Sequence, residues 1–170
     1  MDNDPQQLLD DLSALSNDLY NGPSESYRLL DSFNRMLSEE QVEPSFIDLC
    51  LIGIFDQTKG LLKYITSLHV NKQFKDSVKK AIEIVYTIIN NFSYKVVESN
   101  VVDIYTMCIK IMKSSVTDAN IRGKIIALAN ITLEKVSDFV GSTKFTEALK
   151  ELLTVLIMCL NQRHTSSTGN

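Results

Sequence analysis

The sequence predicts an all-α fold, a right-handed stack of helix pairs with a non-repeating helical bundle as the alternative architecture. Three observations predict it. Apolar residues recur at helical spacing from end to end, and no stretch sustains the period-two alternation of a half-buried strand. Two successive helical patterns also recur, in order, about 43–44 positions further on. The 170 residues, 44% hydrophobic and 22% charged, suit one domain able to bury a sizeable core.

The elements follow in order. Asp4-Pro5 places a capping side chain before a first-turn proline, Gln7 completes a capping box, and Leu8, Leu12, Leu15 and Leu19 form one stripe. Residues 1–20 therefore read as an acidic N-terminal helix, stopped by Asn21-Gly22-Pro23. Pro23 and Ser24 open the next helix, with Tyr27, Leu30, Phe33 and Leu37 on its apolar face. Pro44-Ser45 starts a third segment carrying Phe46, Leu49, Cys50, Ile54, Leu61, Ile65 and Leu68; Gly53 and Gly60 weaken it, and a break is expected near 56–60.

A helix over 74–91 carries Val78, Ala81, Ile82, Val85, Ile88 and Ile89. After a short link comes a helix over 100–112, with Val101, Ile104, Tyr105, Cys108, Ile109 and Met112 on one face. Thr117-Asp118 supplies caps for a helix bearing Ile121, Ile125, Leu128, Thr132 and Val136, which Gly141 closes. Thr143 caps the last helix, with Phe145, Ala148, Leu149, Leu152, Leu153 and Leu156. The repeat domain thus spans 21–161, and the small polar residues 162–170 read as a disordered tail.

The repeat is a matter of register. Val78, Ile82, Val85 and Ile88 map onto Ile121, Ile125, Leu128 and Ile131 at a shift of 43, and Lys79 maps onto Arg122. The apolar set of the 100–112 helix maps onto that of the last helix at a shift of 44. Any two amphipathic helices agree at one face; two helices recurring in order carry more weight. Each pair would leave an apolar face that the next pair covers.

Residues 100–115, beginning Asn100-Val-Val-Asp-Ile-Tyr, followed by Asn120-Ile-Arg-Gly-Lys-Ile-Ile-Ala-Leu-Ala-Asn130-Ile-Thr, resemble an armadillo repeat; HEAT repeats match the spacing nearly as well. Ile89-Asn90-Asn91-Phe92-Ser93 is similar to the same ending one repeat earlier, and the resemblance covers about residues 76–160. In such arrays an asparagine of the concave face hydrogen-bonds the backbone of an extended peptide. The resemblance implies that role for Asn130 and Asn91, and a scaffold or adaptor function.

The residues offer little for catalysis. His69 and His164 are the only histidines, and neither has a His or Cys at metal-ligand spacing. His69 ends a helix, where a cation would favour the dipole. Glycines do not assemble a phosphate loop, and the adjacent carboxylates Asp10-Asp11 and Glu39-Glu40 point to different helix faces. The reading is a non-catalytic protein without cofactor or metal. Cys50, Cys108 and Cys159 sit among Leu, Ile and Met and read as core hydrophobes in a reducing compartment. With an acidic N-terminus and no apolar run long enough to span a bilayer, the expected location is cytoplasmic or nuclear.

Charge divides the chain. Residues 1–56 hold twelve acidic and two basic side chains; residues 57–170 hold nine and fifteen. Lys79, Lys80, Arg122 and Lys124 therefore join Asn91 and Asn130 as candidate contacts to an acidic protein segment. The alternative is an assembly subunit, a homo-oligomer or part of a larger complex, docking through Leu152, Val155, Leu156 and Ile157 of the terminal helix. Nucleic-acid binding through the basic half, with Lys72, Lys75, Lys79, Lys80, Lys110 and Lys113, ranks lower.

Overall fold

The computed structural model describes residues 22–38, 60–91, 94–136, 146–147, 149–155 and 157–158. Among these residues every regular element is helical, and no strand occurs. The expected helix over 1–20, most of the third segment and the tail over 162–170 lie outside the described residues.

Helix α1 spans Pro23–Ser38. Gly22 precedes it with φ of 88°, a left-handed conformation that costs glycine little, and Pro23 supplies the fixed φ suited to a first turn. Leu29, Leu30, Phe33 and Leu37 line its buried face. Helix α2, Leu61–Leu68, starts immediately after an extended Gly60, where the sequence places a break. Five of its eight residues are buried. A 3-10 turn, Lys72–Phe74, leads into α3, Lys75–Asn91. Asn71 caps that turn by accepting from the Gln73 amide at 3.0 Å, and the Phe74 ring packs edge-on to Tyr64 with centroids 6.5 Å apart.

Helix α4 runs Tyr94–Lys113, beginning six residues before the expected start at Asn100. Val96, Val97, Ser99 and Asn100 are weak intrinsic helix formers, which hides this turn from a pattern reading. Packing of α4 against α2 and α5 along its length offsets a deficit of a few tenths of a kcal/mol per residue. Helix α5 is Ala119–Val136, and Asp118 caps it as the sequence predicts, accepting from the Asn120 and Ile121 amides at 2.8 and 3.3 Å. Thr132, fully buried in the apolar stripe, satisfies its hydroxyl by donating to the Leu128 carbonyl at 2.7 Å.

Packing sorts these helices into two layers. α1, α3 and α5 touch in that order, with α3 in the middle. α2 packs on α3 and α4, and α4 packs on α5. Lys113 at the end of α4 pairs with Glu151 at 3.2 Å, and Leu152 and Val155 join the same hydrophobic core. A single contiguous core therefore fills the space between layers. It includes Cys108, whose burial pushes its thiol pKa up to about 12, so it packs as a neutral group.

The repeating register has a counterpart in burial. Val78 and Ile121, Ile82 and Ile125, Val85 and Leu128, Ile88 and Ile131 are all buried, pair by pair. At the shift of 44, Cys108 and Leu152 are both buried. The match fails at Ile109, which is buried, and Leu153, which is 47% exposed, and returns at Ile111 and Val155, both buried.

Candidate functional site

The outer side of the α1–α3–α5 layer carries an open groove of about 340 Å³, at the small end for ligand sites. Spacing on α3 builds most of it. Glu83, Tyr86 and Thr87, at i, i+3 and i+4, share one face, and Ile82 closes the floor. Asn34 of α1 forms one wall, and Lys124 and Ala127 of α5 form the other. Ala127 is small and exposed, so α5 leaves the space open there.

Beside the groove, five charges alternate in sign across the three helices. Arg35 pairs with Asp31 at 3.0 Å within α1. Lys80 of α3 reaches Asp31 at 3.7 Å and Glu83 at 3.4 Å. Lys124 of α5 donates to Glu83 at 3.0 Å. Lys80 is the most enclosed member, its side chain 18% exposed, and its ammonium lies 5.8 Å from the centre of the Tyr27 ring. Burial works against the charge of Glu83, but the hydrogen bond and charge of Lys124, with Lys80 behind, outweigh it and hold the carboxyl below its ordinary pKa.

The candidate residues read from sequence fall in different places. Asn130 is exposed one turn beyond Ala127, beside the groove. The side chain of Asn91 lies outside the described residues. Lys80 and Lys124 are engaged in the ion ladder, so they are not the free cations that the count of basic residues suggests. Lys79 is half-buried and makes no ion pair among the described residues. Arg122 belongs to a different feature: from the first turn of α5 its guanidinium donates to the carbonyl of Ser114, just after α4.

No family of known proteins matches this chain, and no curated protein or solved structure matches it either.

The terminal helix divides its apolar residues between two sides. Leu152 and Val155 are buried in the core and so serve the fold, while Leu156 lies outside the described residues. Ile157, at 58% exposed, faces solvent together with Leu153 and Met158, at 47% and 54%.

His69 ends α2 as the sequence predicts, where its N–H bonds the Ile65 carbonyl, but it is not the cation expected there. It is buried, its Nδ1 lies 2.8 Å from the Thr117 hydroxyl, and burial together with the charge of Lys110 pushes its pKa down. It is therefore a neutral imidazole at pH 7. Among the described residues, no three of His, Cys, Asp and Glu are grouped to hold a metal ion. None of the described helices is long and apolar enough to cross a membrane. Sequence reasoning missed Asn34, Tyr86, Thr87 and Ala127 as groove residues. The signal for three of them was present as the polar and small positions of α3 and α5 opposite the apolar stripe; the participation of α1 had none.

Proposed function

We propose that the chain is a non-catalytic helical-repeat scaffold, of armadillo or HEAT type, that binds an extended protein segment along the α1–α3–α5 face. One observation carries the reading: the groove crosses three helices that pack successively in one layer, with amide, hydroxyl and aromatic groups of Asn34, Thr87 and Tyr86 along it. The paired burial of positions 43 apart supports the repeat. Asn130 extends the hydrogen-bonding surface by a turn, and Lys79 is the cation available to an acidic residue of the segment.

Ala127→Arg fills the groove from an exposed position and is expected to leave the fold intact. Partners captured by the wild type and lost with this variant would be the groove ligands. Calorimetry of such a partner against Asn130→Ala/Lys79→Glu should show weakened binding; unchanged affinity would reject the groove assignment.

A second reading is an assembly subunit. It is favoured by the exposed aliphatic set Leu153, Ile157 and Met158 on the terminal helix. Sedimentation at increasing concentration tests its homo-oligomeric form, and a strict monomer counts against it.

A further inference from the structure

Outside the groove, the connectors α2–α3 and α4–α5 meet at one end of the molecule. His69 and Thr117 join them through their 2.8 Å contact, and Lys75 pairs with Asp118 at 2.8 Å. Beside each member of the first pair stands an exposed valine: Val70 at 47% and Val116 at 70%. Neither contributes to the core. Lys72 and Lys110 are exposed at the same end and make no ion pair among the described residues. Lys75 and Lys113 are also solvent-accessible, each with one carboxylate partner.

We propose that this end is a docking edge for an anionic lipid surface. The two valines enter the headgroup region, and the lysines face lipid phosphate and carboxylate groups. Counting Arg122 with the four lysines, against Asp76, Asp118 and Glu151, the edge has a net charge of +2 among the described residues. That charge suits reversible attachment. Exposed aliphatic side chains between the cations favour a bilayer over a nucleic acid, which offers them no apolar partner. The one arginine here is turned inward to the Ser114 carbonyl, away from the bidentate phosphate contacts that nucleic-acid readers use. The surface is separate from the groove, so it stands whether or not the scaffold reading does.

The test is co-sedimentation of the full chain with phosphatidylcholine vesicles, with and without phosphatidylserine, at low and high salt. Binding should require phosphatidylserine and fade at high salt. Lys72→Gln/Lys110→Gln should weaken it about fivefold per lysine. Val70→Ser/Val116→Ser should weaken it several-fold while circular dichroism stays unchanged, because both side chains are already exposed. Lys63→Gln, on the exposed side of α2, should have little effect. Absence of binding to phosphatidylserine vesicles at low salt would overturn the proposal. So would binding indifferent to the valine pair, or equal binding to a DNA duplex, since either marks the edge as a general polyanion surface.

Discussion

Nδ1 of His69 and Oγ1 of Thr117 lie 2.8 Å apart across 48 positions of chain, and both residues are buried. This contact fastens the end of α2 to the loop that begins α5. It also makes the fold sensitive to protons. The folded-state pKa of His69 is depressed by burial and by Lys110, so the unfolded chain binds the proton more readily. Its contribution to stability is complete above the unfolded value of about 6.5 and is lost as pH falls through that value towards the folded one. The denaturant midpoint should therefore fall between neutral and mildly acidic pH, above the range where carboxylates titrate. His69→Gln should flatten that part of the profile, and Thr117→Val should lower stability by about 1–3 kcal/mol by leaving the ring nitrogen unpaired.

The seam between α3 and α5 should be the most sensitive to truncation. Ile125 is fully buried and Ile82 almost so, and they occupy corresponding positions of the two helices. Ile125→Ala or Ile82→Ala is expected to cost about 2–5 kcal/mol through lost transfer energy and the cavity left behind. Urea denaturation measures the loss directly.

Gly123 offers the opposite outcome. It lies inside α5, exposed, and a Cβ there would meet nothing within 4 Å. Gly123→Ala should raise stability by about 0.5–1 kcal/mol, because alanine loses less backbone freedom on forming helix. No change in the thermal midpoint would mean that helix propensity does not govern this position.

The Glu83–Lys124 link should show only a modest coupling. Both side chains are partly exposed, at 41% and 31%, so solvent screens the attraction. A double-mutant cycle with Glu83→Gln and Lys124→Met is expected to give about 0.3–1 kcal/mol at low salt and less at high salt. A much larger value would point to a desolvated pair.

Short-range features were the ones legible in the sequence. Ile121, Ile125 and Leu128 announce the buried face of α5, and Asp118 announces its cap, because both effects act within one or two turns. The start of α4 at Tyr94 was not legible, since Val96, Val97, Ser99 and Asn100 are weak helix formers and no local pattern marks the boundary. The site shows the same division. Lys80 and Lys124 were recognisable as cations, but their engagement by Asp31 and Glu83 depends on how α1, α3 and α5 pack, which no local pattern encodes. Burial of His69 was hidden for the same reason: its partner comes from a distant loop.

The alternating ladder from Arg35 to Lys124 has a mechanical consequence. Two of its contacts, Lys80 to Asp31 and Lys124 to Glu83, join neighbouring helices on the side where the groove opens. They are the links that salt screens most readily, because their side chains are partly exposed. Raising ionic strength therefore weakens the outer seam of the layer first, by no more than the modest coupling such partly exposed pairs carry.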